Sequence, residues 1–454
     1  MILKSINPFT NEVIGEFPEY SDSQTEELMH ETAGASEAWK KTSFSERMAL
    51  MVRVSELLKD NVEKYAGIIT SEMGKPIKES KAEVEKCAWV CEYYAENAEN
   101  FLKKEIINTD ADLSYVSYEP LGTILGIMPW NFPFWQVFRF AVPTLMAGNS
   151  VLLKHASNVQ FSARLIETVF KEAGFPEHLF TNLVLGSGRM EKIISNDLVK
   201  AVSLTGSEFA GEKVAETAGR NLKKSVLELG GSNAFLVLED ADIEKAVATG
   251  IAARFQNAGQ SCIAAKRFIL VKKISNRFVK EFLDGVGKLK TGNPFNQDTD
   301  IGPLANINQA EKVEQQVRDS VSMGANLITG GAREKALFEP SVVINVKPGM
   351  PLFDEEVFGP VAPVIIAEDR QDAIALANKS VFGLGVSVFT EDRAGYEELA
   401  REFRDGAVFI NGLVKSDPRL PFGGTGRSGF GRELAVHGIR EFVNVKSVWV
   451  RRFK

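Results

Sequence analysis

Cysteine and long apolar runs are both scarce in this sequence. Only 3 of its 454 residues are cysteine, which excludes a disulfide framework and favours a reducing compartment. The longest apolar runs, such as residues 123–129, fall well short of the roughly 20 residues that span a bilayer. Residues 1–8 lack the charged and apolar regions of a signal peptide. We therefore expect a cytoplasmic protein with no membrane partner.

Clustered charge is also missing. The net charge is −7 with no block of like charges, whereas a nucleic-acid surface needs grouped Lys and Arg. Cys87 and Cys91 lie one helical turn apart, but no His or third Cys lies near them. We interpret them as packed helix residues. The sequence thus predicts neither nucleic-acid binding nor a metal site.

The length and the order of elements indicate an α/β protein with more than one domain. A single core stops growing at about 250–300 residues, and this chain has 454. Short apolar segments alternate with helices, which favours mostly parallel sheets that bind ligands beyond the carboxyl ends of their strands. The first predicted series has strands at 122–128, 150–154, 182–185, 201–205 and 225–229. The second has strands at 267–271, 362–366, 385–389 and 407–410, and the two series meet near Gly230-Gly231.

Helix starts carry their own signals. Ser23-Gln24-Thr25-Glu26 and Ser43-Phe44-Ser45-Glu46 have the pattern of capping boxes, in which the Ser and Glu side chains satisfy free backbone N–H groups. Asp240 is predicted to cap a helix from about 241 to 257. That helix leads directly into the segment with the most distinctive chemistry.

Cys262 is the candidate nucleophile. It follows Asn257, Gly259, Gln260 and Ser261, which are poor core residues, so its thiol is predicted to face a substrate pocket. The alternative is an inert structural cysteine, which is the more common case for any single Cys.

Two other polar residues are candidates for the same chemistry. Glu228 ends an apolar strand before two glycines, and apolar surroundings raise a carboxyl pKa toward the range useful to a general base. Asn131 lies between Pro129 and Pro133, and a fixed side-chain amide can donate to an oxyanion. The alternatives are a Glu held in a salt bridge at the sheet end and an Asn that completes a turn.

Glycine-containing turns indicate a nucleotide site. Gly186 begins a Gly-Ser-Gly segment after one strand, and Thr205-Gly206-Ser207 joins another strand to a helix. The start of a helix offers free N–H groups to a pyrophosphate. Neither segment is the G-x-G-x-x-G fingerprint, so a plain strand-to-helix turn is the alternative for each.

Six motifs in this order give the chain a resemblance to the aldehyde dehydrogenase superfamily over essentially its full length. They are Pro129-Trp130-Asn131-Phe132-Pro133, Leu204-Thr205-Gly206-Ser207, Leu227-Glu228-Leu229-Gly230-Gly231, Gly259-Gln260-Ser261-Cys262, Glu355-Glu356-Val357-Phe358-Gly359-Pro360 and Pro421-Phe422-Gly423-Gly424. The resemblance implies Cys262 as nucleophile, Glu228 as base and Asn131 as oxyanion donor. It adds Glu356 as a partner of the nicotinamide ribose, and Phe358 and Trp130 as cofactor contacts.

The resemblance also implies a domain plan. A Rossmann-like cofactor domain would comprise residues 1–111 and 120–230, and an α/β catalytic domain residues 231–425. A small β flap for oligomerisation would comprise residues 112–119 and 440–454, so we expect a homodimer or homotetramer. In the implied reaction, Cys262 attacks an aldehyde, a nicotinamide accepts a hydride, and Glu228 activates the water that releases the acid.

The adenosine end of the site predicts the cofactor. Where NAD-preferring relatives often carry a Glu, this chain has Ser157, which removes the repulsion of a 2′-phosphate, and Lys154 adds a positive charge. We predict that NADP is preferred and that NAD is possible.

Arg139 predicts the substrate class. It lies among aromatic residues on the helix that would line the substrate tunnel, and a guanidinium suits a carboxylate. An Arg at this place resembles succinate-semialdehyde dehydrogenases, which implies succinate semialdehyde as the substrate. We assign Trp135, Ser261 and Ser416 to the same site. The alternatives are that Arg139 pairs with a structural Glu, that the substrate is another short aliphatic or aromatic aldehyde, or that Cys262 and Glu228 serve a thiol hydrolase.

Overall fold

Two open sheets, of six and seven strands, form the centre of the molecule. The computed structural model describes residues 2–452, so residue 1 and residues 453–454 of the predicted flap lie outside the described residues. The elements of the first half are β1 (Ile2–Ile6), β2 (Val13–Pro18), α1 (Asp22–Trp39), α2 (Phe44–Asp60), α3 (Val62–Met73), α4 (Ile77–Phe101), β3 (Glu105–Ile106), β4 (Leu113–Pro120), β5 (Thr123–Met128), α5 (Trp135–Met146), β6 (Ser150–His155), α6 (Gln160–Glu172), β7 (Phe180–Asn182), α7 (Met190–Ser195), β8 (Val199–Thr205), α8 (Glu208–Arg220) and β9 (Lys224–Glu228).

The second half repeats the α/β pattern. Its elements are β10 (Asn233–Val237), α9 (Ile243–Phe255), β11 (Ala265–Val271), α10 (Lys272–Val286), α11 (Ile307–Ser322), β12 (Asn326–Thr329), β13 (Arg333–Glu334), β14 (Leu337–Phe338), β15 (Ser341–Ile344), α12 (Pro351–Asp354), β16 (Val361–Ala367), α13 (Arg370–Asn378), β17 (Phe382–Gly383), β18 (Val386–Phe389), α14 (Tyr396–Arg401), β19 (Val408–Ile410), β20 (Thr425–Gly426), β21 (Gly429–Phe430), α15 (Ala435–Arg440) and β22 (Val443–Val450).

The six-stranded sheet has the order β21-β9-β8-β5-β6-β7 and is parallel except for β21. Successive side chains of a strand point to opposite faces. Ile124 of β5 accordingly packs in the core formed with α4, α5 and α6, and Leu125 packs in the core formed with α1, α7 and α8. Both faces of the sheet are covered, as predicted for a parallel sheet.

The seven-stranded sheet has the order β12-β15-β16-β11-β10-β18-β19, and its one antiparallel pair is β12 with β15. A separate core of residues from this sheet and helices α9, α10 and α11 supports it. The two-sheet α/β class predicted from the sequence is confirmed. The domain boundaries given above stay a prediction.

A third, antiparallel sheet joins β22 to β4 and β4 to β3. Val445 and Trp449 of β22 are exposed by 60% and 49%. The two segments of the predicted flap thus pair with each other, from Val443 opposite Pro120 to Val450 opposite Leu113.

Local signals placed some boundaries correctly and others wrongly. The capping box of Ser43 and Glu46 is confirmed. The first box was assigned to the wrong serine, because Ser21 caps α1 together with Gln24. Asp242, and not Asp240, caps α9, since the side chain of Asp240 accepts hydrogen bonds from Thr390 and the backbone of Glu391 instead.

The strand predicted at 182–185 is also misplaced, because the ladder with β6 ends at Asn182. Within residues 2–452, no helix combines the length and the apolar composition that a membrane crossing requires.

Candidate active site

A cavity of about 520 Å³ opens beside the loop that carries Cys262. Helix α9 ends at Phe255, and a single 3₁₀ turn (Gln256–Gly259) leads to the cysteine. Asn257 and Ala258 in this turn have φ of 53° and 51°, a region that non-glycine residues rarely occupy and that costs of order 1–3 kcal/mol per residue. The loop therefore needs contacts that hold it in this conformation.

Buried hydrogen bonds supply those contacts. The backbone N–H of Asn257 donates to the Glu79 carboxylate at 2.7 Å, and the Asn257 side chain donates to the carbonyl of Asn131 at 2.8 Å. Gln260 accepts from the backbone N–H of Ala305 at 2.8 Å. The loop is thus fixed from α4, from the segment after β5 and from the second half of the chain, so Cys262 has one defined position.

Gly259 is required at the turn for two reasons. Its φ is +73°, and a Cβ there would lie 2.3 Å from both the carbonyl oxygen of Gly359 and the Arg254 side chain. The backbone must therefore pass this close to its neighbours. The Gly-Gln-Ser-Cys spacing noted in the sequence reflects this close approach.

Asn131 lies against the same loop. It is 4% exposed, and its Nδ2 donates to the carbonyl of Gln260 at 3.1 Å. An amide nitrogen carries two hydrogens, so one remains for a ligand. Asn131 and Cys262 both line a second cavity, which brings the predicted oxyanion donor and nucleophile together. Their roles in a reaction stay a prediction.

Cys262 is partly exposed. The charged groups around it act on the pKa of its thiol in opposite directions. Burial raises the pKa of Cys262 to about 11, and the positive charges of Arg139 and Lys266 oppose that rise. The carboxylates of Glu356 and Glu228 raise this pKa further. In the free protein at neutral pH the thiol form therefore predominates.

Alkylation by iodoacetamide is expected to show this thiol directly. Because only the thiolate reacts, the rate should increase about tenfold for each pH unit between 7 and 10, following the pKa of about 11 for Cys262. Mass spectrometry of peptides and the loss of activity both measure the rate. Cys87 and Cys91 are fully buried and serve as internal controls that stay unmodified. A plateau below pH 9 would contradict a pKa of about 11 for Cys262.

Glu228 is the last residue of β9 and is 1% exposed. Neither of its carboxylate oxygens has a hydrogen-bond partner among the described residues, and burial raises its pKa well above the usual value, with Arg139 opposing this. Gly423 lies against this carboxylate, because a Cβ on Gly423 would be only 2.8 Å from Glu228 Oε1. Glu228 does not line either cavity beside Cys262, so a role as base requires its side chain to turn toward the thiol.

Arg139 is not free for a ligand in this structure. It forms an ion pair with Glu433, donates to Thr205 Oγ1 at 3.2 Å, and its guanidinium lies 4.6 Å from the centre of the Phe422 ring. Both charged side chains are at least 95% buried. This is the alternative that the sequence left open, a pairing with a structural Glu, although Arg139 still contributes to the wall of the larger cavity.

The other predicted substrate contacts converge on that larger cavity. Trp135, Ser261 and Ser416 all line it. Trp135 Nε1 donates to Ser416 Oγ at 2.9 Å. The loop that precedes β20 and the start of α5 therefore form one wall of the cavity that Cys262 also lines.

The second cavity, of about 200 Å³, has the composition of a cofactor cleft. The predicted cofactor residues in its lining are Trp130, Thr205, Gly206, Ser207, Glu356 and Phe358. Ser207 caps α8 through a hydrogen bond to the N–H of Ala210, which leaves N–H groups of the first turn for a phosphate. Trp130 and Phe358 meet edge to face with ring centroids 5.7 Å apart. A phosphate-bearing group with a planar ring fits these residues.

Glu356 is held in place by the protein. Its Oε1 accepts from the backbone N–H of Gly231 at 3.0 Å and forms an ion pair with Lys266. Its other oxygen lies close to Gly230, where a Cβ would be only 2.7 Å away. Glycine at that position gives a ligand access to the carboxylate.

Lys154, Ser157 and Gly186 do not line this cavity. Lys154 lies near the carboxyl end of β6, Ser157 follows β6, and Gly186 follows the neighbouring strand β7. Lys154 lies one residue before the end of β6, opposite Ile127 of β5, and it is buried. Burial lowers the pKa of Lys154, and the nearby charge of Glu19 opposes that effect. Gly186 donates its N–H to Glu19 at 3.0 Å. The role of these three residues at the adenosine end stays a prediction.

Sequence reasoning missed the residues that act through distant partners. Glu79 accepts a hydrogen bond from the Cys262 loop. Lys266 pairs with Glu356, and Glu433 pairs with Arg139. Lys86 lines the larger cavity beside Trp135. All four are charged residues that are buried or partly buried. Each lies in a stretch with other charges, where sequence alone indicates a solvated helix face or turn.

Comparison with known proteins adds three findings. A sequence model described as the aldehyde dehydrogenase family matches residues 2–448. The chain is 44% identical over 453 residues to a "Probable succinate-semialdehyde dehydrogenase (NADP(+))" of Synechocystis sp., covering 99% of this chain and 100% of that protein. It is 42% identical over 451 residues to a "Succinate semialdehyde dehydrogenase (NAD(P)+)" of Escherichia coli, covering 99% and 98%.

A solved structure agrees with this. The succinic semialdehyde dehydrogenase of Streptococcus pyogenes in complex with NADP+ superposes with a TM-score of 0.97 at 34% identity, covering 99% of this chain and all of the other.

Proposed function

The chain belongs to the aldehyde dehydrogenase family, and from that premise we propose that it oxidises succinate semialdehyde to succinate with NADP as the cofactor. The observation that carries the proposal is the position of Cys262, which lines both the larger cavity and the cleft with nucleotide-site composition. An aldehyde in one space and a nicotinamide in the other would then meet at a single sulfur. The names of the relatives above support the substrate and the cofactor.

The first half of the reaction uses the thiol and two hydrogen-bond donors. Cys262 loses its proton to solvent water, and the thiolate attacks the aldehyde carbon, which forms the oxyanion of a thiohemiacetal. The free N–H of Asn131 Nδ2 and the backbone N–H of Cys262 stabilise the negative oxygen. Arg139 and Lys266 favour the thiolate, since both lower the pKa of Cys262.

When it is bound, the nicotinamide supplies the hydride acceptor that no side chain can supply. We propose that the start of α8, with Gly206 and Ser207, holds its phosphates, and that Glu356 and Phe358 orient the ribose and ring. Lys266 and Gly231 keep Glu356 in place for this role.

Removal of a hydride from the thiohemiacetal leaves a thioester on Cys262. In the second half Glu228 removes a proton from water, and the water attacks this thioester. The acid leaves and the thiolate is restored. A carboxyl group whose pKa burial has raised suits this role, because it can hold the proton near neutral pH.

A substrate and cofactor panel tests the proposal. Steady-state rates with succinate semialdehyde, butanal and benzaldehyde should be measured with NADP and with NAD. We expect the highest kcat/KM with succinate semialdehyde and NADP. Equal kcat/KM for butanal would replace this function with that of a general aldehyde dehydrogenase. Ester turnover without any nicotinamide, and no aldehyde oxidation with it, would favour the thiol hydrolase.

Replacing Ser157 by glutamate is expected to reverse the cofactor preference. A carboxylate facing the 2′-phosphate repels it. A cost of about 1.4–2.8 kcal/mol corresponds to a rise in KM for NADP of about 10- to 100-fold, while KM for NAD should change little. Ser157→Ala is the matched control, because it removes the hydroxyl without adding charge. An unchanged ratio of kcat/KM for the two cofactors in Ser157→Glu would contradict the assignment.

We propose in addition that the protein is a cytoplasmic homo-oligomer, a dimer or tetramer, that assembles through β22 and β4. The exposed apolar side chains of Val445 and Trp449 on the small sheet support the assembly. Three free cysteines support a reducing compartment. Mass measurement in solution, with Trp449→Glu as the disrupting variant, tests the assembly.

A further inference from the structure

The ammonium group of Lys86 has no anionic partner in the described part of the chain. Lys86 lies on α4 and lines the larger cavity. Its Nζ donates to Ser416 Oγ at 2.9 Å and lies 4.1 Å from the centre of the Trp135 ring. Both partners are neutral, although a cation on a cavity wall normally has a counter-ion.

The carboxylates nearest to it are already paired. Glu83 forms an ion pair with Lys75 and accepts two backbone N–H groups, those of Phe134 and Trp135. Asp417 accepts two hydrogen bonds from the Arg419 guanidinium, at 2.8 and 2.7 Å.

Two other acids on the cavity wall also have partners within the protein. Asp300 pairs with Lys78 at 2.6 Å, and Glu79 accepts from the backbone of Asn257. The protein therefore leaves the Lys86 charge to a ligand.

Ser416 provides a second donor at the same place. Its hydroxyl oxygen accepts from both Lys86 and Trp135. A hydroxyl has two acceptor positions and one hydrogen, so its own hydrogen is left to donate, and it has no acceptor among residues 2–452. An ammonium N–H and a hydroxyl O–H side by side fit the two oxygens of a carboxylate.

We propose that Lys86, together with Ser416, binds the carboxylate of the substrate and so sets the preference for a carboxylated aldehyde. This inference rests on the proposed function and adds Lys86 to the prediction made for Arg139, which lines the same cavity. Arg139 already has the carboxylate of Glu433 as its partner, whereas Lys86 has none. Trp135 fixes the distance between the two donors through its contacts with both.

The charge on Lys86 also gives the site a pH response. Burial and the nearby charge of Arg139 lower the pKa of Lys86 to about 8, and Glu83, Cys87 and Asp417 oppose this. Above that pH the free protein loses the ammonium charge, so binding of a carboxylate becomes weaker. We expect KM for succinate semialdehyde to rise above pH 8, while KM for butanal stays level.

The test compares Lys86→Met with Lys86→Arg and with Lys81→Met. Lys81 lies on the same helix but pairs with Glu63, so it controls for the loss of one positive charge. A hydrogen bond to a charged group contributes enough to change binding by about 10- to 100-fold. We expect Lys86→Met to raise KM for succinate semialdehyde by that factor with kcat within about threefold, and to leave KM for butanal unchanged. Lys86→Arg should recover most of the loss.

Binding of succinate gives a second readout that does not depend on turnover. Succinate should raise the Tm of the wild-type protein and of Lys81→Met, but not that of Lys86→Met. An equal loss for both aldehydes, or an unchanged shift of Tm in Lys86→Met, would overturn the role of Lys86. If the wild-type protein itself shows no preference for succinate semialdehyde over butanal, the proposed function fails, and this inference fails with it.

Discussion

Cys262→Ser is expected to lower kcat for aldehyde oxidation by about four orders of magnitude or more. A serine hydroxyl is far less acidic than a thiol, and within the described residues no side chain is hydrogen-bonded to Cys262 that could serve as its base. Arg139 and Lys266 favour an anion at this position, but they cannot lower the pKa of a serine hydroxyl enough for it to ionise near neutral pH. Stopped-flow measurement of the first turnover checks the step itself, because it excludes product release.

The same variant separates a nucleophile from an inert structural cysteine. Its Tm and its affinity for NADP should stay close to the wild-type values, since the serine occupies the same space. Cys91→Ala is the matched control: it removes a buried sulfur outside both cavities. It should lower stability by about 1 kcal/mol or more and leave kcat within about twofold. A Cys262→Ser protein that retains a tenth of the activity would show that Cys262 has only a structural role.

Local sequence signals predicted the Cys262 loop and most parallel strands of the six-stranded sheet, but they missed β10, β12 and β15 of the seven-stranded sheet. The Cys262 loop is recognisable because Gly259 is required by a close backbone approach and because small and amide residues surround the thiol. The correctly predicted strands are mostly apolar runs, such as β5 and β6, which pair in parallel. The strand at 182–185 was misplaced because Leu183, Val184 and Leu185 are fully buried although they lie beyond the ladder.

Charged partners could not be predicted, because they are distant in the sequence. Arg139 was assigned to a ligand from its aromatic neighbours, but Glu433, which pairs with it, comes from a segment near the end of the chain. Lys86 lies between Glu85 and Cys87 on a helix rich in charges, a pattern typical of a solvated face. Only the fold shows that Ser416 and Trp135 meet it there.

Glu228→Gln is expected to separate the two halves of the reaction. The amide has the same size but cannot take a proton from water, and loss of a general base lowers a rate by about 10²- to 10⁴-fold. The attack of Cys262 does not need this base. We therefore expect a burst of one NADPH per active site at close to the wild-type rate, followed by a steady state slower by that factor, with the thioester accumulating on Cys262. Mass spectrometry of the quenched protein checks the adduct.

The pH dependence of thioester hydrolysis also tests the role of Glu228 as a base. Burial raises the pKa of Glu228 and Arg139 opposes the rise, and a base acts only when it is deprotonated. In the wild-type protein thioester hydrolysis should therefore increase as pH rises toward that raised pKa, and Glu228→Gln should lose this dependence. Glu239→Gln, at an exposed position, is the matched control and should keep both the rate and the profile. Loss of the burst together with the steady state would place Glu228 before the thioester, as the group that ionises Cys262. The unpaired carboxylate outside both cavities would then have to reach the thiol before the aldehyde does.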